Sequence, residues 1–375
     1  MRIKFKVQSS KFKVNKRYFL FFLLFSLFTL HFSLSTSLAE EVNSRAAVVI
    51  EASTGRILYA KNLNLRLPPA STTKLMTAVV VMENANLTDL VTISRNASRI
   101  SPHKAGFKEG DRVTVEKLLY AALIGSANDA AVALSEAVAG SEARFVELMN
   151  KKAVEIGARD TRFINPHGLP GKGQYTTASD LSKIMSYALM YPKLKEIIGT
   201  RVTEISTQNG HSIFLKNTNR LLWSDDELVG GKTGYTRKAR HCIVCAAERE
   251  GDAVIVAVLG SPSRNYLWQE AEMMVQKGFQ AIVNNEEPDI YFVKADYDAL
   301  YVKEASYKKS SRLISYSGQS SRSKTDKKVV AKKTVKNKKT KLLAKKKVKT
   351  KKFAKGKNNK GNNRIAKKDE DKNKG

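Results

Sequence analysis

The sequence predicts an α+β fold in which an antiparallel sheet is flanked by helices and an all-helical subdomain is inserted between its strands. Strand-like runs occur near both ends of the central region, at residues 46–60 and 200–260, and helical periodicity dominates between them. A last helical pattern follows at residues 264–278. This segregation of strands and helices is typical of an antiparallel sheet in which the two ends of one domain meet.

The first two strands are predicted to form a hairpin, because residues 46–51 and 56–60 flank the turn sequence Ser53-Thr54-Gly55. A helix follows after the pair Pro68-Pro69, since proline favours the first positions of a helix. Ser71 falls in the first turn of this helix, and Lys74 lies one turn later on the same face. The helix is expected to run to residue 83 or 84.

The helical subdomain is expected after residues 91–113, which contain proline and glycine and look irregular. An apolar face over residues 114–123 predicts one helix, and residues 130–140 predict the next, with Gly140 as its stop. The stretch between them, residues 124–129, is predicted to be a loop.

Two further helices are predicted at residues 142–156 and 177–190, and the second is capped by Thr176 or Thr177. A loop over residues 165–171 separates them.

The second group of strands contains Lys232-Thr233-Gly234 and a hairpin formed by residues 242–249 and 253–259. Cys242 and Cys245, the only cysteines of the chain, lie in this hairpin with C-x-x-C spacing. No second cysteine pair exists for a zinc site, and strand residues three apart face opposite sides of a sheet. We therefore expect two ordinary strand cysteines, with no disulfide between them, and neither a metal nor a cofactor.

Charge divides the chain into regions. The net charge is +31, of which residues 308–375 carry +23 and residues 1–17 carry +7, leaving +1 for the remainder. The lysine-rich segment 308–375 has few apolar residues and is predicted to be a disordered basic tail. The predicted organisation is a signal segment at residues 1–39, a catalytic domain at 40–285, a short connector at 286–307 and this tail.

The N-terminal segment has the pattern of an export signal. Lys16 and Arg17 precede an apolar run from Tyr18 to Leu34, and the small residues Ser37 and Ala39 suit cleavage before residue 40. An uncleaved membrane anchor is the alternative, since the run is long for a signal core. Both interpretations place the remainder outside the cytoplasm, in the periplasm or another extracytoplasmic location, and a membrane-associated form stays open.

Three short motifs carry the candidate chemistry. A serine with a lysine three residues later occurs five times, beginning at Ser10, Ser71, Ser101, Ser306 and Ser321, so one match alone means little. After Ser71, however, Ser126-Ala127-Asn128 follows at 55 residues and Lys232-Thr233-Gly234 after a further 106 residues. The order of the three motifs matches the set found in serine β-lactamases and penicillin-binding proteins.

The residues around these motifs closely resemble the low-molecular-mass penicillin-binding proteins that are D-alanyl-D-alanine carboxypeptidases. The resemblance covers residues 44–280 and rests on four stretches: Pro69-Ala-Ser-Thr-Thr-Lys-Leu-Met-Thr-Ala, Leu118-Leu-Tyr-Ala-Ala-Leu-Ile-Gly-Ser-Ala-Asn-Asp-Ala-Ala, Asn165-Pro-His-Gly-Leu and Gly231-Lys-Thr-Gly-Tyr-Thr. It implies a β-lactamase-like fold and a serine-type enzyme that removes the terminal D-alanine from peptidoglycan stem peptides. β-Lactams would then acylate the same serine.

The resemblance also implies the role of each site residue. Ser71 would be the nucleophile and Lys74 its base, while Ser126 would relay the proton to the leaving amine. A second group would bind the substrate. Asn128 would hold a peptide amide, Lys232 and Thr233 would bind the terminal carboxylate, and Gly234 would leave room for the peptide. The backbone N–H groups of Tyr235 and Ser71 would form the oxyanion hole.

Three other residues have a plainer interpretation beside a functional one. His167 could be a base, but Lys74 already fills that role, so a turn residue is expected. Asp129 is expected to cap a helix. Arg264 could assist in binding the carboxylate or could be an ordinary surface arginine.

Several alternatives stay open. Within the enzyme class, a D,D-endopeptidase would cleave peptidoglycan crosslinks with the same residues, and a β-lactamase would need a second base that the sequence does not offer between Ser126 and Lys232. A cell-envelope binding protein acting through its basic tail is the alternative from another class. For residues 308–375, an anionic envelope polymer or membrane surface is the expected partner rather than nucleic acid, because the chain carries an export signal.

Overall fold

The computed structural model describes residues 42–293, and its central feature is a six-stranded sheet with strand order β10-β2-β1-β9-β8-β7. The strands are β1 (Ala46–Glu51), β2 (Ile57–Lys61), β7 (Leu228–Thr236), β8 (Arg240–Arg249), β9 (Asp252–Ser261) and β10 (Asp289–Tyr291). All pairs are antiparallel except β10 with β2. The predicted meeting of the two ends of the domain is seen directly, since β1 pairs with β9.

Seven α-helices lie between β2 and β7, and five of them correspond to predicted ones. They are α1 (Lys74–Asn84), α2 (Arg95–Arg99), α3 (Val115–Leu123), α4 (Asn128–Ala139), α5 (Glu142–Glu155), α6 (Ala178–Leu189) and α7 (Pro192–Gly199). Two small sheets accompany them, β3 (Leu90–Thr92) with β4 (Arg112–Thr114) and β5 (Val202–Ser206) with β6 (Ser212–Lys216). A long helix, α8 (Arg264–Val283), follows β9.

The core lies on both faces of the sheet. Alternate residues of β1, β8 and β9 pack against α8, whose contribution comes from Leu267, Ala271, Met274, Val275 and Phe279. The opposite face is covered by α6, which contacts β1, β8 and β9. Strands buried on both faces explain the long apolar runs in β8 and β9.

Helix ends follow their sequence signals. Thr177 caps α6 by accepting a hydrogen bond from the Asp180 backbone N–H, and Gly140 ends α4 with φ 74°. Left-handed backbone of this kind favours glycine, so both predicted boundaries are confirmed.

Some details differ from the sequence prediction. Residues 91–113 are not wholly irregular, since they contain α2 and parts of the β3–β4 pair. Helix α7 was not predicted, because it has only eight residues and begins at Pro192. Helix α8 continues to Val283 instead of residue 278. Strand β10 lies beyond the predicted domain end at residue 285, within the stretch predicted to be a connector, yet it belongs to the sheet.

Both cysteines lie in β8, and both are buried and free. Cys245 packs in the cluster beneath α8, whereas Cys242 does not belong to it, as expected for opposite faces of a strand. Burial raises the pKa of each thiol to about 12. Within the described part of the chain, no helix is long and apolar enough to span a bilayer, and no cluster of metal-binding side chains occurs. The predicted signal, most of the connector and the basic tail lie outside residues 42–293.

Candidate active site

Ser71 lies in a 3₁₀ turn, Ala70–Thr73, that leads directly into α1. Ala70 has φ 50°, a left-handed conformation that is uncommon for a residue other than glycine. Two glycines allow this turn to be approached closely. A Cβ atom at Gly168 would lie 1.8 Å from the Ala70 carbonyl oxygen, and one at Gly234 would lie 2.7 Å from the Ser71 backbone nitrogen. The turn is therefore held between the loop that follows α5 and the strand β7.

The Lys74 side chain contacts Ser71. Its Nζ atom lies 3.1 Å from Ser71 Oγ, 2.7 Å from Asn128 Oδ1 and 2.9 Å from the backbone oxygen of His167. The side chain of Lys74 is completely buried. Burial is the main cause that lowers the pKa of Lys74 well below its ordinary value, and the charge of Lys232 lowers it further. The surroundings of Lys74 thus favour the neutral amine over the ammonium form.

The orientation of the Asn128 amide is fixed by its other contact. Its Nδ2 atom donates to the backbone oxygen of Pro102 at 2.6 Å, and a carbonyl oxygen can only accept. The Oδ1 atom must therefore be the one that faces Lys74. Ser126, two residues earlier, is buried and has φ 59°, so the loop before α4 is held in a strained conformation.

Strand β7 supplies the opposite wall. Lys232 is completely buried, and burial lowers the pKa of its ammonium group to about 7. Its Nζ atom donates to the Thr233 backbone oxygen at 3.0 Å, while Thr233 Oγ1 donates to Thr218 Oγ1 at 2.7 Å. Tyr235 is exposed, and its ring stacks on that of His241 with the ring centres 4.4 Å apart.

A cleft of about 980 Å³ opens above these residues. Six predicted site residues line it, namely Ser71, Ser126, Asn128, Thr233, Gly234 and Tyr235. Lys74 and Lys232 are fully buried and do not line the cleft. No aspartate or glutamate side chain lines this cleft, so its charge comes from cations alone.

The structure also locates His167, Arg264 and Asp129, for which the sequence allowed both a functional and a plainer interpretation. His167 is a loop residue as expected, since its Nδ1 atom accepts from the Leu169 backbone N–H at 3.2 Å and its Nε2 atom lies 3.6 Å from Glu142. Arg264 is exposed and lines the cleft.

The prediction for Asp129 was wrong in detail. The cap of α4 is Ala127, and Asp129 lies within the first turn. Its carboxylate accepts hydrogen bonds from the backbone N–H groups of residues 105, 106 and 107, with distances of 2.9 to 3.3 Å. Asp129 therefore fixes the loop that precedes the cleft.

Sequence reasoning missed three groups. The backbone oxygens of Pro102 and His167 orient Asn128 and Lys74, and the Thr218 hydroxyl holds Thr233. Backbone carbonyls leave no mark in a sequence. Thr218 could have been suspected only from its position in a polar segment between two strands.

Comparisons with known proteins agree with this arrangement. A family model described as D-alanyl-D-alanine carboxypeptidase matches residues 33–263. DacF of Bacillus subtilis, a D-alanyl-D-alanine carboxypeptidase, is 37% identical over 232 residues, which are 60% of this chain and 59% of DacF. DacC of Escherichia coli, another such enzyme, is 34% identical over 269 residues, 68% of this chain and 66% of DacC. The chain thus spans less than two thirds of the length of these two relatives.

A solved structure extends the agreement to three dimensions. The Streptomyces K15 DD-transpeptidase superposes with a TM-score of 0.61 at 33% identity, covering 64% of this chain and 98% of that protein. The α+β fold described above is therefore the penicillin-binding and β-lactamase fold. With the family model matching well over half of the sequence, the chain belongs to the D-alanyl-D-alanine carboxypeptidase family.

Proposed function

We propose that this protein is a serine-type D-alanyl-D-alanine carboxypeptidase that removes the terminal D-alanine from peptidoglycan stem peptides through an acyl-enzyme on Ser71. The observation that carries the proposal is the environment of Lys74 Nζ. Two of its three neighbours, Asn128 Oδ1 and the His167 carbonyl, can only accept hydrogen bonds. A neutral Lys74 has two N–H groups for these acceptors, which leaves its lone pair directed at the Ser71 hydroxyl 3.1 Å away.

Acylation then follows the ordinary logic of an activated nucleophile. Lys74 accepts the proton of Ser71 as Oγ attacks the carbonyl carbon between the two D-alanines. Ser126, which lines the same cleft, passes its proton to the departing amine and receives in exchange the proton that Lys74 took from Ser71, so that Lys74 is neutral again. The C–N bond breaks, free D-alanine leaves, and water later hydrolyses the ester on Ser71.

Substrate binding is assigned to β7 and to the loop before α4. Lys232 and Thr233 bind the terminal carboxylate, and binding of this anion favours the charged form of Lys232. Asn128 holds a peptide amide of the substrate through the part of its side chain that faces the cleft. Arg264 stays a candidate for the same carboxylate, because it lines the cleft.

The oxyanion hole is assigned to the backbone N–H groups of Ser71 and Tyr235. Support comes from the close approach of β7 to the Ser71 turn, where Gly234 leaves no room for a side chain. Such donors typically stabilise a transition state by about 3 to 4 kcal/mol. The crowding at Gly234 comes from Ser71 and Ala70, so this glycine serves the packing of the protein. It also lines the cleft, and room for the peptide stays its proposed second role.

β-Lactams are expected to acylate Ser71 and to be released slowly. Rapid hydrolysis of a penicilloyl ester needs a second base, and no acidic side chain lines the described cleft. This argues for a penicillin-binding enzyme over a β-lactamase.

The test is the intact mass of the protein after incubation with benzylpenicillin, together with a D-alanine release assay on a peptide ending in D-Ala-D-Ala. We expect one stable adduct and D-alanine release, and neither in the Ser71→Ala variant. Absence of an adduct with penicillin intact would refute the proposal. Absence of an adduct with penicillin destroyed would favour a β-lactamase.

A D,D-endopeptidase is the second candidate, because it would cleave peptidoglycan crosslinks through the same acyl-enzyme on Ser71. A crosslinked muropeptide dimer decides between the two. Conversion to monomers without release of D-alanine would establish the endopeptidase, whereas unchanged dimer would leave the carboxypeptidase alone.

The basic segment 308–375 is proposed to bind an anionic envelope polymer or membrane surface after export of the protein. The support is its charge of +23 behind an N-terminal export pattern. Removal of residues 308–375 should abolish salt-sensitive co-sedimentation with isolated cell envelopes and leave penicillin acylation intact. Unchanged co-sedimentation would exclude this role and with it the alternative that the protein acts mainly as an envelope-binding protein.

A further inference from the structure

One wall of the cleft carries positive charge that no acidic group balances. Lys216, Arg220 and Arg264 all line the cleft and are exposed. Among residues 42–293 none of the three forms an ion pair, although cations elsewhere in the same region are paired. Arg201, for example, binds Asp226 at 2.9 Å, and Asp226 follows the cleft residue Trp223 by only three positions. Acidic residues are thus available nearby, and they do not face the cleft.

Arg220 stands on a rigid segment. It begins the 3₁₀ turn Arg220–Trp223, whose Leu221 and Leu222 are buried in the core beneath α8. The preceding Asn219 caps this turn by accepting from the Leu221 backbone N–H at 3.2 Å. Asn217, also buried, donates to the backbone oxygens of residues 198 and 200 at 3.1 and 2.9 Å. The backbone that carries Arg220 is therefore fixed, so little backbone entropy is lost when a ligand binds there.

The same segment touches the candidate substrate strand. Thr218 accepts the hydrogen bond of Thr233 at 2.7 Å, so Arg220 lies two residues from a direct contact with β7. Lys216 lies on the other side of Thr218, and its Nζ atom sits 5.4 Å from the centre of the exposed Trp223 ring. An aromatic face holds a cation without neutralising its charge.

The start of α8 adds to the positive field. This helix of 20 residues has no acidic residue in its first turn and begins with Arg264, although helix N-termini favour acidic residues. Arg264 and Leu267 of this first turn line the cleft, as does Trp268, the next residue. The helix end and the basic segment therefore favour negative charge in the same part of the cleft.

We propose that Arg220 and Lys216 form a subsite for a second carboxylate of the substrate, distinct from the terminal carboxylate that Lys232 and Thr233 bind. The inference rests on the proposed peptidase function and gives it a substrate class, namely peptides that carry an acidic group besides their C-terminus. A substrate with only its terminal carboxylate would leave Lys216 and Arg220 without an opposite charge. The acidic group has two possible positions in such a peptide, the residue before D-Ala-D-Ala and the leaving residue itself.

The test compares three peptides on the full-length protein. The first is a neutral acyl peptide ending in D-Ala-D-Ala, the second carries a glutamate directly before D-Ala-D-Ala, and the third has D-glutamate in place of the last D-alanine. Values of kcat/KM are measured for the wild type, Arg220→Gln, Lys216→Gln and the control Arg159→Gln. Arg159 is exposed and does not line the cleft.

We expect Arg220→Gln to lower kcat/KM for one of the two acidic peptides by about five- to ten-fold, the range of a partly exposed charged hydrogen bond, and to leave the neutral peptide unchanged. Lys216→Gln should act in the same direction with a smaller effect, and Arg159→Gln should have none. Selective loss with the second peptide places the subsite on the acyl side, and selective loss with the third places it on the leaving side.

Equal loss with all three peptides, or no loss with any, would overturn the proposal. Acylation by carbenicillin and benzylpenicillin, which differ by one side-chain carboxylate, separates this failure from failure of the proposed peptidase. The wild type could fail to cleave any peptide while penicillins still acylate Ser71. In that case, faster acylation by carbenicillin than by benzylpenicillin that is lost in Arg220→Gln would support an acyl-side subsite. The same ratio of the two rates in wild type and variant would exclude it. If Ser71 is not acylated at all, the proposed function fails and the subsite fails with it.

Discussion

Replacing Lys232 by methionine is expected to stabilise the folded protein at pH 7 while it abolishes acylation by penicillin. Lys232 is completely buried, and burial lowers the pKa of its ammonium group from 10.5 to about 7. At pH 7 the unfolded chain therefore carries a proton on this lysine that the folded protein holds only half of the time. Folding releases protons, and this opposes folding.

The size of this penalty follows from the two pKa values. Because one pKa unit corresponds to about 1.4 kcal/mol, the gap between about 7 and 10.5 costs about 4 kcal/mol at pH 7. Methionine removes the penalty and loses the hydrogen bond to the Thr233 carbonyl, which contributes about 1 kcal/mol. The net gain is about 3 kcal/mol, and the accompanying loss of activity is an exchange of stability for function.

The direction of the Lys232 pKa shift determines how this gain in stability depends on pH. The folded-state pKa lies below the unfolded one, so the penalty is fully present below pH 7 and disappears as the pH approaches 10.5. Urea denaturation of wild type and variant at pH 7, 8, 9 and 10 should therefore give a difference in unfolding free energy that shrinks steadily. Lys238→Met, in the exposed turn after β7, is the control and should shift stability by less than about 0.5 kcal/mol. A variant less stable than the wild type at pH 7, or a difference independent of pH, would refute the reasoning.

Three further outcomes are expected. Gly234→Ala should lower the rate of penicillin acylation by at least about 100-fold, since its Cβ would lie 2.7 Å from the Ser71 nitrogen and displace the Ser71 side chain. The control Gly55→Ala has open space around it and φ 73°, so this variant should lose only stability. Equal acylation rates of the two variants would contradict the prediction. Asp129→Asn should lower the unfolding free energy in urea by about 1 to 3 kcal/mol, because three backbone N–H groups of residues 105–107 lose a charged acceptor, and an unchanged midpoint would exclude this role. The two cysteines of β8, with pKa values raised to about 12 by burial, should not react with a disulfide reagent at pH 8 until the protein is unfolded.

The sequence predicted those parts of the molecule whose signals are local. Helix α4 ends at Gly140 because a left-handed residue is needed there, and α6 begins at Thr177 because its hydroxyl accepts a free backbone N–H. The pairing of β1 with β9 could be inferred too, because strands at both ends of a domain need a common sheet. Strand β10 could not, since three residues paired in parallel with β2 have no periodicity to recognise.

The site was predictable as a set of side chains, although its geometry was not. Ser71, Ser126 and Lys232 each belong to a short motif, so their types and spacing point to one chemistry. The proposed role of Lys74 as a base depends on its burial and on two carbonyl acceptors, one of which belongs to the backbone of His167. A backbone oxygen has the same chemistry at every position of the sequence, so only the fold reveals which one matters.

The position of β7 explains why the candidate site lies where it does. Within the described residues β7 is the last strand of the large sheet, and an unpaired edge of nine residues is normally a risk for aggregation. Here residues 233–236 of β7 line the cleft, where the proposed peptide substrate would pair with the edge as an added strand. Along β7, Gly234 lies against the Ser71 turn, and its neighbours Thr233 and Tyr235 line the cleft together with Ser71. Moving β7 by one residue would exchange its two faces, so the register of this strand decides which residue lies against Ser71 and which side chains line the cleft.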